Sequence, residues 1–201
     1  MRMRQIIMIE WAETHASMAD YYVFLQKVKL EPFKNKKRRK VRIARQLSER
    51  YQSMIPTMPC KQNADYLARK IRFERHFDFL NNEETILIGN SLGASFLTKR
   101  LSENTFPKPI DQLHLIAPAI KDTSEETIKN FRPNEEKIIN IQKQTENIFI
   151  YHSTDDPVVP YDHAVWLSKL LPKAKFISFS DRGHFSQTTF PELLENINYY
   201  K

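Results

Sequence analysis

Residues 86–95 read Ile86-Leu87-Ile88-Gly89-Asn90-Ser91-Leu92-Gly93-Ala94-Ser95, and this stretch holds two of the three glycines in a 201-residue chain. At ordinary usage of about 7%, a chain of this length carries about fourteen. Two glycines flanking one serine, directly after an apolar run, form the Gly-x-Ser-x-Gly pattern of a nucleophile elbow. A serine at a sharp strand-to-helix turn sits in strained backbone, and the positions two residues away must leave room for crossing chain. Glycine, without a Cβ, meets that need. The turn lifts the Ser91 hydroxyl off a sheet and sets the Leu92 N–H at the start of a helix, where it can face a developing oxyanion. The competing reading is a plain strand-to-helix turn with a buried serine.

Working outward, short apolar runs alternate with longer amphipathic segments. The runs 5–9 (QIIMI), 85–88 (TILI), 113–117 (LHLIA), 148–151 (IFIY) and 175–179 (KFISF) read as buried strands, with a weaker one near 53–55. Helices are expected around 17–27, 39–50, 63–80, 94–103, 124–143 and 161–171. A last helix starts at Phe190, where Phe190, Leu193, Leu194, Ile197 and Tyr200 share one face. Thr189 with Glu192, and Thr123 with Glu126, offer capping boxes. Continuous apolar strands alternating with helices predict a parallel sheet covered on both faces, with ligands bound beyond its carboxyl ends.

Two more strand ends carry chemistry. The 148–151 run leads into His152-Ser153-Thr154-Asp155-Asp156-Pro157, an acid-bearing loop stiffened by proline. Asp155 or Asp156 could orient a base there, with Asp156 preferred. The 175–179 run leads into Asp181-Arg182-Gly183-His184, where the third glycine precedes a histidine. His15 and His76 lie in amphipathic stretches, His114 in a predicted strand and His163 in a predicted helix, and all four read as structural. Ser91, Asp156 and His184 then follow the chain order of α/β-hydrolase triads. No pair of histidines has the i, i+4 spacing of a zinc helix.

The elements GNSLG (89–93), STDDPVVP (153–160) and DRGHF (181–185) resemble the small α/β-hydrolase (serine hydrolase) family that includes retinoblastoma-binding protein nine, over residues 85–200. The resemblance implies an α/β-hydrolase fold and hydrolysis of small ester or acyl substrates without cofactor or metal. It implies Ser91 as nucleophile, Asp156 as acid and His184 as base. The family has a His-Gly pair directly after the first strand, beside the second oxyanion donor. Here Glu10-Trp11-Ala12-Glu13 follows instead, so the backbone N–H of Trp11 or Ala12 is expected to join that of Leu92. This departure bears on efficiency and leaves a second reading: an impaired hydrolase-fold protein acting as a binding or scaffold module.

Bulk properties bound the rest. Apolar residues at 41% and charged residues at 27% describe a soluble globular chain, expected to form a single α/β-hydrolase domain over 1–201 with little or no lid. No apolar run reaches the eighteen or so residues of a membrane helix, so no membrane partner is expected. With Cys60 the only cysteine and no signal-peptide core at the N-terminus, a cytoplasmic location is expected. The net charge of +7 is concentrated in residues 34–45, KNKKRRKVRIAR, which carry eight Lys or Arg and no acid. That run reads first as a solvated helix face backed by Val41, Ile43, Ala44 and Leu47. A protein or nucleic-acid partner there is the less favoured reading.

Overall fold

Six strands form one parallel sheet in the order β2-β1-β3-β4-β5-β6. They are β1 (Arg4–Ile9), β2 (Tyr51–Met54), β3 (Thr85–Asn90), β4 (Gln112–Ile116), β5 (Ile148–Ser153) and β6 (Lys175–Phe179). This computed structural model describes residues 3–28, 39–123, 127–187 and 189–199, the side chains of 39–42 excepted. The strands alternate their side chains between two faces. Ile7, Ile9, Leu87, Leu113, Leu115, Ile148 and Ile150 enter one buried cluster. Ile6, Met8, Ile86, Ile88, Ile116, Phe149 and Tyr151 enter the other. Both faces are therefore covered, which is why the runs read as continuously apolar.

The first face is packed by α3 (Tyr66–Glu74), α4 (Leu92–Glu103) and α5 (Asp162–Leu170); the second by α2 (Arg39–Gln46) and α6 (Pro191–Tyr199). Of the basic run, residues 34–38 lie outside the described residues, while 39–45 fall in α2. Ile43 and Leu47 are buried in the same cluster as Ile6 and Met8, as the amphipathic reading requires. The remaining helix, α1 (Met18–Lys27), is capped by Ser17, whose Oγ accepts from Asp20 N at 3.1 Å, yet it buries none of its residues. Among the described residues no helix is long and apolar enough to cross a membrane.

Two expectations are corrected. Of the expected helix at 124–143, the described residues 127–143 form no α-helix but 3₁₀ turns at Lys129–Phe131 and Glu135–Lys143, separated at Pro133. Proline disfavours helix at the residue before it, and a 3₁₀ repeat aligns positions three apart. Ile138 and Ile141 are so aligned and, with Phe131, fully buried. This connection packs into the first-face core. The second correction concerns Glu192, which accepts from Arg182 at 2.5 Å instead of closing a capping box with Thr189. The Thr123–Glu126 box includes residues outside the described set.

His114, on the central strand β4, is fully buried. It stacks on Phe149 with centroids 4.7 Å apart and 6° between planes, and its ring nitrogens lie 2.9 Å from the Tyr151 hydroxyl and from Gln112 Oε1. Burial alone pulls its pKa from 6.5 down to about 3. Below pH 6.5 the unfolded chain takes up a proton at this site that the folded chain refuses. Stability is thus intact above pH 6.5 and drains away as pH falls toward 3, by about 2 kcal/mol at pH 5. His152 and His163, also held below their ordinary values by burial, act in the same sense. Denaturant titrations from pH 7 to 4 should show this loss, and His114→Phe should reduce the proton uptake on unfolding near pH 5 by about one. An unchanged pH slope in the variant would contradict the assignment.

Candidate active site

Parallel strands deliver all their C-terminal ends to one edge, and register sets them level. Asn90 pairs with Ile116, Ile116 with Tyr151, and Ser153 with Phe179. The loops after β3, β5 and β6 leave from that edge, carrying Ser91, Asp156 and His184.

Ser91 occupies the turn between β3 and α4 at φ 53°, ψ −124°. A non-glycine residue held there is strained, a state that persists only when its surroundings enforce it. The Ser91 N–H donates to Ile116 O at 2.8 Å, and its carbonyl accepts from Ala94 N and Ser95 N. The side chain makes no capping bond to α4, although Ser91 stands at the N-cap position. The hydroxyl is thereby left available for chemistry. Leu92 N–H, in the first helical turn, has no acceptor within the helix.

The glycines explain how the strain is accommodated. A Cβ on Gly89 would lie 2.7 Å from Ala94 Cα, and one on Gly93 would lie 2.3 Å from Ile9 O and 2.8 Å from Glu10 O. The end of β1 crosses directly over Gly93, bringing the Glu10–Ala12 loop beside the elbow. Gly93→Ala should cost about 1–3 kcal/mol through overpacking and displace that loop. A melting temperature equal to that of the unaltered protein would contradict so close an approach.

Asp156, not Asp155, meets the histidine. His184 Nδ1 donates to Asp156 Oδ2 at 2.8 Å, with the aspartate side chain fully buried and the imidazole 21% exposed. Asp156 Oδ1 also accepts from Val158 N at 2.8 Å and Val159 N at 3.0 Å. Burial pushes this carboxyl up, but the hydrogen bonds from His184, Val158 and Val159 outweigh it and hold the group below its ordinary value. It stays ionised through neutral pH. Asp155 has a different task. It accepts from Ser153 Oγ and from Gly183 N at 2.9 Å, latching the β5 loop to the β6 loop. Gly183 sits at φ +49°, which glycine adopts freely. Phe185 then buries against Phe179 and Phe190, anchoring the histidine from below.

Ser91 and His184 leave the same sheet edge, but among the described residues no hydrogen bond joins the Ser91 hydroxyl to the imidazole. The Asp156–His184 pair is closed and the Ser91–His184 link is open. Such catalytic contacts commonly tighten only when substrate is bound. His152, fully buried at the end of β5, accepts from Ser153 N through Nδ1 at 2.9 Å. Burial holds its pKa below the ordinary value, against the opposing pull of Asp156. Among the described residues no group of three or more His, Cys, Asp or Glu side chains is arranged to hold a metal ion.

On the other side of the elbow, Trp11 is 42% exposed, with Lys61 Nζ 4.1 Å from its ring centroid. The Glu10 carboxylate, a concern beside a developing oxyanion, lies 3.8 Å from the same ammonium. The Glu10 carbonyl accepts from Arg69 Nη1 at 3.4 Å. Sequence reading passed over Arg69, although a cation between Tyr66 and Phe73 on one helical face was a visible signal.

This sheet order, with helices on both faces and a strained serine after the third strand, defines the α/β-hydrolase fold. Solved structures agree in fold. The ydeN gene product of B. subtilis aligns with a TM-score of 0.71 at 18% identity, covering 98% of each chain. A meta-cleavage product hydrolase (CumD) of Pseudomonas fluorescens aligns with a TM-score of 0.67 at 14% identity, covering 98% of this chain and 92% of that one. Among curated proteins, the chain is similar to serine hydrolase RBBP9 of Rattus norvegicus, 32% identical over 114 residues. That match spans 56% of this chain and 59% of the rat protein, less than two thirds of its length. No family model matches. The chain thus has the α/β-hydrolase fold.

Proposed function

We propose that the protein is a serine hydrolase of small, accessible ester or acyl substrates, working through Ser91, His184 and Asp156 without metal or cofactor. The observation that carries this reading is a strained, non-capping Ser91 on the same sheet edge as a His184–Asp156 pair at 2.8 Å. His184 Nε2 takes the hydroxyl proton as Ser91 Oγ attacks the acyl carbon. Asp156 fixes the Nδ1–H tautomer and stabilises the imidazolium. The tetrahedral oxyanion is received by the N–H of Leu92 and by that of Trp11 or Ala12, each donor worth about 3 kcal/mol in such a hole. Collapse expels the alcohol, which takes the proton back from His184, and water then releases the acid by the same route.

The binding-module reading has less support, since the described end of the basic run packs Ile43 into the core. The test is time-dependent inactivation by a neutral fluorophosphonate. Stoichiometric loss of p-nitrophenyl acetate turnover is expected. An unreactive protein whose turnover equals the uncatalysed background would end the proposal.

A further inference from the structure

The face that α3 turns to the core consists of Tyr66, Arg69 and Phe73. A cation in the middle of such a face needs a reason. Arg69 is 1% exposed, yet its hydrogen bond is a long one, 3.4 Å from Nη1 to Glu10 O, and its buried Nε has no partner. Phe131 roofs the guanidinium at 5.9 Å. A guanidinium presents five N–H donors, and leaving a buried charge so sparsely bonded is unfavourable. Burial lowers its pKa to about 10; Cys60 and Glu10 favour the charge only from nearby positions, and the Glu10 carboxylate is shared with Lys61.

Its position gives it meaning. The Glu10 carbonyl oxygen that Arg69 holds is the one lying 2.8 Å from where a Cβ on Gly93 would stand. Guanidinium, oxyanion loop and nucleophile elbow are thus in successive contact. Lys61, over the exposed Trp11, adds a second cation at the rim.

We infer that Arg69 is an anion subsite beside the scissile acyl group, so that the preferred substrate is an ester bearing a free carboxylate, such as the half-ester of a short dicarboxylic acid. This deepens the serine-hydrolase reading and rests on it. A planar carboxylate matches the unused edge of the guanidinium and satisfies donors that the protein itself leaves idle. Docking there would set the acyl carbon against Ser91 and neutralise the buried charge in one event.

Two arms test this. In the first, kcat/KM is compared for p-nitrophenyl hydrogen glutarate and p-nitrophenyl acetate. The unaltered protein should favour the half-ester by about tenfold or more, and Arg69→Met should shrink that ratio by a similar factor. A purely structural Arg69 would depress both esters together and leave the ratio unchanged, which would overturn the inference, as would no preference in the unaltered protein. Should Arg69→Met fail to fold, Arg69→Lys, which keeps the charge but loses the fork, should reduce the ratio partially. The second arm needs no chemistry. Glutarate should raise the melting temperature of Ser91→Ala protein and not that of Ser91→Ala/Arg69→Met. If glutarate stabilises while neither ester is hydrolysed, the hydrolase reading fails and the subsite stands. If the esters are hydrolysed but glutarate stabilises neither variant, the reverse holds.

Discussion

Ser91→Ala is expected to lower kcat for p-nitrophenyl acetate by roughly four to six orders of magnitude, in practice to the solution background. Without the hydroxyl no acyl-enzyme forms, and the oxyanion donors alone recover little. The stability of the same variant separates this account from its plainest competitor. A serine whose side chain caps a helix costs about 1 kcal/mol when replaced by alanine. Ser91 makes no capping bond, and alanine meets the same backbone at φ 53°, so its melting temperature should hardly move. Ser17, whose Oγ accepts from Asp20 N, is the internal control: Ser17→Ala should lose stability and leave turnover intact. Loss of stability without loss of activity at position 91 would reverse the assignment.

The second large effect is expected at Asp156. Asparagine there preserves shape, and its Oδ1 can still accept from Val158 N and Val159 N. Its amide, however, presents N–H to His184 Nδ1. The imidazole must then accept at Nδ1 and carry its proton on Nε2, the nitrogen that should receive the Ser91 proton. A loss of about 10⁴ in kcat follows from the wrong tautomer. Asp155→Asn acts differently, because Asp155 touches Ser153 and Gly183 and not the imidazole. It should loosen the loop that carries His184, with a smaller loss of rate and some loss of stability. Equal effects at the two positions would show that the acids are interchangeable and that the His184–Asp156 contact is incidental.

Much of this architecture was legible because glycine is rare in the chain. Gly89 and Gly93 mark places where backbone crosses backbone, and the contacts with Ala94 and Ile9 are the physical content of the motif. The strands were legible because a sheet covered on both faces demands unbroken apolar runs. The choice of Asp156 over Asp155 followed from the stiff Asp-Pro junction. What the latter acid does, tying two loops through Ser153 and Gly183, depends on the approach of segments almost thirty residues apart and leaves no local trace.

Other features were hidden for different reasons. The 124–143 segment has helical composition, but Pro133 and core packing at Ile138 and Ile141 select 3₁₀ turns where described. His114 looks like any strand histidine until Phe149 stacks on it. Arg69 shows only as a cation in an apolar stripe, and its sparse bonding emerges from tertiary contacts with Glu10 and Phe131. The open Ser91–His184 link is a matter of side-chain geometry that no spacing encodes.

The most direct test is to label the protein with a fluorophosphonate and map the adduct by mass spectrometry of the tryptic peptide His76–Lys99, which also contains Ser95. One phosphonyl group per chain, fragmenting to Ser91 and formed far more slowly in Asp156→Asn, is the predicted result. Modification at Ser95 or elsewhere with Ser91 untouched, or the same rate in both proteins, would contradict the account.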